Sequence, residues 1–288
     1  MTDNVFVFDR HAVRAHRNRS AKHLKDHGFL IKWSMDQILS RLTDIKRSYP
    51  LALQIGNRAD IADIAKYNID KLHTLDIAEN LICNIQADEE ILPFSAQTFD
   101  LVLSPLSLHS TNDLPGTLAQ IQNCLKPDGL FIASMLGGET LYELREVMNR
   151  VELSMFDGIH PHVAPFADMP QMGALMQRAG FNLPVIDSEK ITVTYDNVFK
   201  LMQDLRLMGE GNTITNRYKK MSRRDYFQAV AEAYNEKYNE DGKIIATFEI
   251  IFLIGWAPHE SQQKPLKPGS AQKTMAEALG VNEEKLPC

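Results

Sequence analysis

The 288-residue chain has little cysteine: three residues, Cys83, Cys124 and Cys288, far apart and without a C-x-x-C pair. That spacing argues against a zinc ribbon, an iron–sulfur site and a disulfide framework, and it fits a reducing cytoplasm. Long hydrophobic runs are also missing. The longest, residues 250–257, has Gly255 inside it and falls far short of the ~20 residues that cross a bilayer. Positive charge is not in excess: 31 Lys and Arg against 37 Asp and Glu give a formal charge of −6. No global positive field exists to hold a phosphate backbone, so nucleic acid is not expected as a partner. The dinucleotide fingerprint G-x-G-x-x-G is absent as well.

What is present is ordinary globular composition, 44% hydrophobic and 24% charged, enough to bury a core. Residues 9–27 read as a basic helix with Gly28 as its stop and a solvated cationic face. The apolar Val5-Phe6-Val7-Phe8 before it favours part of the mature protein over a transit peptide. Ser34-Met35-Asp36-Gln37 has capping-box form, with Met35, Ile38, Leu39, Leu42 and Ile45 on one helical face after it. Strands and helices then alternate: strand 51–55 halting at Gly56, helix 59–67, strand 72–75 closed by Asp76, strand 99–103, a helix striped by Leu114, Leu118, Ile121 and Leu125, the turn Lys126-Pro127-Asp128-Gly129, and strand 130–135. Such alternation predicts a parallel sheet with helices on both faces.

The second half keeps the rhythm. Leu141, Leu144, Met148 and Val151 mark a helix, and Asp168 caps another that ends before Gly180. Ile191, Val193 and Tyr195 alternate with Thr192 and Thr194 as a strand with one wet face. Helical patterns at 198–208 and 226–238 read as an insertion before a last strand at 247–256. Beyond Pro258 the chain is polar and punctuated by Pro265, Pro268 and Gly269, as in a mobile tail. The predicted organisation is an N-terminal helical cap (1–48), one α/β domain (49–257) with an insertion at about 196–243, and a C-terminal tail (258–288).

In an open parallel sheet the ligand sits outside the carboxyl ends of the strands. The residues there are Gly56, Asp76, Asp88 with Glu89, and Ser104. A glycine allows close backbone approach, and an acid twenty residues on can accept two ribose hydroxyl protons, so the pair points to a nucleoside-bearing cofactor. The spacing does not separate a nicotinamide from S-adenosylmethionine. The turn at 125–129 and the insertion before the last strand look like the class I methyltransferase arrangement.

Longer runs carry a closer resemblance: Ala87-Asp88-Glu89-Glu90-Ile91-Leu92-Pro93-Phe94, Ser104-Pro105-Leu106-Ser107-Leu108-His109, Asn112-Asp113-Leu114-Pro115-Gly116, Gly137-Gly138-Glu139-Thr140-Leu141-Tyr142-Glu143-Leu144-Arg145, Pro161-His162-Val163-Ala164-Pro165-Phe166, Leu201-Met202-Gln203-Asp204-Leu205-Arg206 and Gly255-Trp256-Ala257-Pro258-His259-Glu260-Ser261-Gln262, with Phe8-Asp9-Arg10 at the start. Over nearly the whole chain these resemble the mitochondrial complex I assembly factors that hydroxylate an arginine of an iron–sulfur subunit, and more distantly the BioC-type methyltransferases. The resemblance implies a Rossmann-like class I methyltransferase fold with a mostly parallel seven-stranded sheet. It also implies S-adenosylmethionine as cofactor and an acceptor that is a small molecule or a protein. The alternatives it leaves open are a complex I assembly factor that hydroxylates arginine, with an iron–sulfur subunit as partner, and a non-catalytic scaffold.

The implied cofactor set is Gly56, Asn57, Asp76, Ile77, Asp88, Glu89 and Ser104, with Asp88 resembling the acid that meets the adenine amino group. The catalytic candidates are His109 as general base, and Tyr142 and Arg145 to orient a carboxylate or guanidinium. No metal is expected, His160 and His162 having no third ligand in register. One departure stands out. Where the family has an acid and a G-x-G-x-G loop, this chain reads Leu53-Gln54-Ile55-Gly56-Asn57-Arg58-Ala59-Asp60, adding side chains where backbone would touch a cofactor and a cation beside a sulfonium.

Overall fold

The computed structural model describes residues 6–156 and 158–263, with residues 270, 277 and 280. Val5, Pro265, Pro268, Gly269 and Cys288 lie outside the described residues. Contacts group the chain into two units, one through Pro258 and one from His259 onward. The first unit holds the sheet. In the second, His259 Nδ1 lies 2.7 Å from Ser261 Oγ.

The chain begins with α1 (Arg10–Ser20), α2 (Leu24–His27) and α3 (Phe29–Thr43). It continues through β1 (Ala52–Ile55), β2 (Leu72–Asp76), β3 (Ile85–Gln86), β4 (Phe99–Ser104), α4 (Leu114–Cys124), β5 (Leu125–Leu136), α5 (Tyr142–Met155) and α6 (Met169–Arg178). Then come β6 (Asn182–Tyr195), α7 (Val198–Met208), α8 (Arg224–Lys237), β7 (Asn239–Glu240) and β8 (Lys243–Trp256). The sheet runs β3-β2-β1-β4-β5-β8-β6, with the two-residue β7 paired to β8 as an eighth strand. Pairings from β3 to β5 are parallel, and β8 is antiparallel to both of its long neighbours. This is the expected α/β sheet with one hairpin strand added. α7 and α8 form the helical insertion ahead of β8.

Period-two alternation divides the core into two layers. Ala52, Leu101, Leu103, Leu130, Ile132, Ile250 and Phe252 face α3, α5, α7 and α8. Leu53, Val102, Phe131, Ala133, Ile251 and Leu253 face α4 and α6. Short polar side chains start the helices: Asp9 accepts from Ala12 N at 3.1 Å, Asp113 from Gly116 N at 2.9 Å, Asp168 from Gln171 N at 2.9 Å and Asn197 from Lys200 N at 3.1 Å.

Several local expectations are corrected. The helix expected at 59–67 is a 3₁₀ turn at Ala65–Tyr67, preceded by irregular chain. There Asp63 Oδ1 accepts from Ala65 N at 3.1 Å, a local bond that competes with helical pairing. Gly28 is a joint between α2 and α3 rather than a stop, and Ser34 lies inside α3, where its buried hydroxyl meets that of Ser134. Residues 126–129 belong to β5, with Asp128 at φ 63° and its N–H donating to Ala257 O. The cationic face of the first helix is not wholly solvated, because Arg17 is buried and Arg10 largely so.

Phe131 fills the layer beneath α4 and α6 and stacks on Phe181 with centroids 5.2 Å apart. Phe131→Ala is expected to cost about 3–5 kcal/mol, measured as a lower urea midpoint with unchanged slope.

Candidate functional site

The carboxyl ends of β1, β2 and β4 meet at Gly56. Its φ of +85° favours glycine, and a Cβ there would stand 2.6 Å from Ser107 Cβ. The next amide, Asn57 N, donates to Asp76 Oδ2 at 2.9 Å, and Ala78 N donates to Asp76 Oδ1 at 2.9 Å. Asp76 is 1% exposed, and Ile77 and Ser104 are buried beside it in the chain and at the end of β4. The sequence thus brings Gly56, Asn57 and Asp76 together as expected.

The altered loop is held by its own substitutions. Gln54, in the position of the family's acid, donates from Nε2 to Ala59 O at 2.8 Å and, at 3.3 Å, to Gly56 O and Asn57 Oδ1. Asn57 uses its side-chain amide on Ile82 O. Arg58 is turned inward, donating to Leu106 O and pairing with Glu210 Oε1 at 2.5 Å. Its charge is therefore met by a carboxylate.

The largest departure from expectation comes from α1. Arg17, whose side chain is 3% exposed, lies 3.5 Å from Asp76 Oδ1 and 3.1 Å from Glu89 Oε1, and also donates to Ser107 O and Oγ at 3.1 Å. Its guanidinium spans the two acids that the sequence assigns to a nucleoside. Burial opposes the charge on Arg17, but Glu89, Asp76 and Glu210 outweigh it, and the guanidinium pKa stands above its ordinary value. Burial likewise pushes the Glu89 carboxyl up, whereas Arg17 and Arg10 hold it below the ordinary carboxylate range. Arg10 completes the cluster at 2.5 Å from Asp88 Oδ1 and 2.8 Å from Glu89 Oε2, with a further bond to Ser110 O.

A cavity of about 250 Å³ adjoins this cluster, and Arg17 is part of its wall. Val13, Leu136, Leu144, Met148, Phe166 and Phe248 make it apolar, and His109 and Glu210 supply a polar end. Gly209, at φ +94°, ends α7 against Ser20 of α1, where a Cβ would meet Ser20 Oγ at 2.7 Å. This close approach sets Glu210 beside the cavity. Burial pushes the Glu210 carboxyl up, but His109 and Arg58 more than reverse it and leave its pKa far below the ordinary carboxylate value.

Not every candidate gathers here. Gly56, Asp76, Asp88, Glu89 and Ser104 do not line the cavity, and neither do Tyr142 and Arg145. Tyr142 packs edge-on to Tyr238 with centroids 6.1 Å apart and is 38% exposed. Arg145 donates to Gly138 O and Thr140 O, closing the loop ahead of α5. Both are thus engaged in local packing, because the helix that carries them turns its Leu144 and Met148 to the cavity. His160 and His162 share Glu152, at 2.7 and 2.9 Å from its two oxygens. Among the described residues no group of three or more His, Cys, Asp and Glu is arranged to hold a metal.

Arg10, Arg17 and Glu210 were missed as site residues, whereas Arg58 was expected beside the cofactor loop and is found turned inward onto Glu210. For the two arginines a signal exists, since positions 10, 13 and 17 share one helical face with the apolar Val13 between them. For Glu210 there is none, as 152 residues separate it from Arg58.

The comparisons agree with this architecture. Residues 48–133 match a family described as a methyltransferase domain. The mitochondrial arginine-hydroxylase NDUFAF5 of Danio rerio is 42% identical over 96% of this chain and 91% of its own length, and that of Homo sapiens 43% over 96% and 84%. A malonyl-[acyl-carrier protein] O-methyltransferase of Methylovorus sp. (strain MP688) is 32% identical over 90% of this chain and 92% of its own. Among solved structures, the YcgJ protein of Bacillus subtilis superposes with a TM-score of 0.52 at 14% identity, covering 78% of this chain and 99% of that one, a likeness of fold.

The acid cluster gives the protein a calculable weakness. Glu89 and Glu210 have folded pKa values below the ordinary 4.5, so their stabilisation is complete above that value and drains away as pH falls through the folded values. The urea midpoint is expected to fall steeply below about pH 4.5. At neutral pH, Glu89→Gln is expected to cost about 3–5 kcal/mol by leaving Arg17 under-compensated, and Arg17→Met in the same chain to restore part of it.

Proposed function

Since the chain belongs to the NDUFAF5 arginine-hydroxylase family of methyltransferase-fold proteins, we propose that it is an S-adenosylmethionine-dependent enzyme that binds the cofactor at the Gly56–Asp76 corner and its acceptor in the adjoining cavity. The observation that carries this reading is the corner itself. Gly56 turns the chain at a positive φ with its Cα hard against Ser107, and the Asn57 and Ala78 amides hold the Asp76 carboxylate at the end of β2. An acid fixed by backbone donors retains lone pairs for a vicinal diol.

The residues fit the cofactor on one condition, that the Arg17 guanidinium leaves Asp76 and Glu89. With Arg17 withdrawn, Asp76 would take the ribose hydroxyls, Ile77 and Asp88 or Glu89 the adenine, and the Gly56–Asn57 and Ser104 backbone the remaining polar edge. When bound, the cofactor supplies an electrophilic methyl group. The chain's contribution is alignment: holding two reactants in register converts a bimolecular step to a local one, worth ~7–11 kcal/mol. The apolar cavity walls exclude water from that encounter, and His109 stands at the polar end to take a proton from a neutral acceptor.

A second reading is favoured by a specific observation. Arg17 occupies the Gly56–Asp76 corner while relatives 42% and 43% identical over 96% of the chain bear the name arginine-hydroxylase. In that reading the chain hydroxylates a protein arginine or serves complex I assembly, with an iron–sulfur subunit as its partner.

Calorimetry separates the two. The first reading expects S-adenosylhomocysteine to bind at micromolar concentration, Asp76→Ala to abolish binding, and Arg17→Ala to tighten it about tenfold, roughly 1.4 kcal/mol. A silent titration in both the native chain and Arg17→Ala overturns it. The second reading expects a mass increase of one oxygen on a co-purifying protein.

A further inference from the structure

The polar end of the cavity contains a buried atom that nothing among the described residues satisfies. The His109 side chain is 3% exposed, its ring stands edge-on to Phe166 at 5.6 Å, and it borders the cavity. Its Nε2 lies 3.0 Å from Glu210 Oε2, while Arg58 holds the other oxygen of the same carboxylate. The always-charged Arg58 guanidinium on Oε1 makes Glu210 an ionised acceptor. A carboxylate accepts only, so a hydrogen sits on the ring's Nε2, and the neutral form of the imidazole that has it there carries a bare lone pair on Nδ1. That Nδ1 is buried and has no hydrogen-bond partner among the described residues. Other buried side-chain atoms of the described residues also lack a partner, His16 Nδ1 and Ser104 Oγ among them, but His109 Nδ1 belongs to a ring that borders the apolar cavity and is fixed by a carboxylate on its other nitrogen, and a buried atom of that kind calls for a ligand or a water.

Resting on the reading of this cavity as the acceptor site, we propose that His109 and Glu210 form a proton-accepting dyad whose imidazole Nδ1 takes the hydrogen bond, and then the proton, of a neutral N–H or O–H group seated in the apolar cavity. In that transfer the X–H bond breaks with its electron pair left on X, and the new N–H bond forms at Nδ1. The resulting imidazolium donates from both nitrogens, with Glu210 as its counter-charge. His109 is the catalytic residue, and Glu210 is a positioning residue that fixes the tautomer.

The charged and titratable groups around the dyad leave this assignment intact. From α1, Arg17 is engaged by Glu89 and Asp76, and His16 has burial and Arg19 holding its pKa below the usual histidine value. From the loop after β1, Arg58 is spent on Glu210. Arg206 of α7 lines the cavity, and His162 from the loop before α6 is bonded to Glu152. The acceptor's body is set by the walls. At about 250 Å³ the space exceeds the ~150 Å³ engineered apolar cavity that takes benzene, so a ring-sized apolar group bearing one donor is the class that fits.

The full chain tests this without any cofactor, so its failure is distinct from that of the calorimetric reading above. Side-chain ¹⁵N spectra are expected to show His109 with hydrogen on Nε2 and a bare Nδ1, and the two tautomers are expected to mix in Glu210→Gln, whose amide also donates. Phenol is expected to move the Nδ1 resonance and to bind about tenfold tighter than benzene, roughly 1.4 kcal/mol, a gap that closes in His109→Leu. Hydrogen on Nδ1 in the native chain, or phenol binding no tighter than benzene with Nδ1 unmoved, overturns the proposal. Both results come from the native chain, so a variant that fails to fold does not spare it.

Discussion

One buried guanidinium organises the ligand edge of this molecule. Arg17 reaches from α1 across the open ends of the strands and gathers Asp76 from β2, Glu89 from beyond β3 and Ser107 from beyond β4. Desolvating a charge is costly, so the arrangement is stable only because several acceptors meet it at once. Arg10 repeats the device two helical turns earlier on Asp88 and Glu89. The first helix is thereby a component of the site, although it contributes little to the core.

Two further contacts hold that helix against the insertion. Asp9 pairs with Arg217, and Gly209 lets α7 end directly against Ser20. Because Glu210 follows Gly209, the packing of α1 on α7 also positions the carboxylate that holds Arg58 and His109. The Gly56–Asp76 corner and the cavity thus share one wall, Arg17, and one loop, the segment after β1. A ligand that displaces Arg17 alters the cavity in the same event, a linkage between sites that the separate motifs do not suggest.

The loss of the second and third glycines after β1 has a structural counterpart. Gln54 bonds Asn57 and the Ala59 carbonyl, Asn57 the Ile82 carbonyl and Arg58 the Leu106 carbonyl and Glu210, so the loop is bonded where a glycine-rich version would offer bare amides. Local hydrogen bonding also explains why no helix follows: the chain after Gly56 is committed to side-chain contacts before helical pairing can start. The surviving Gly56 keeps a backbone geometry and a clearance that no other residue matches at that place.

Periodicity fixed the alternation of strands and helices, their two-sided packing and the insertion before β8, because alternation at two and near four residues reports which faces are buried, whereas the seven-stranded count came from the family resemblance. It also located Gly56 and Asp76, since strand ends follow from strand positions. What folding alone decided was where the charges go. Arg17 reads in the sequence as one cation among many on a basic stretch, and Glu210 as a polar residue after a helix; each is buried in an ion pair with a partner far along the chain. A charge pattern records composition and local spacing, whereas the energy of a buried ion depends on which opposite charges surround it in three dimensions.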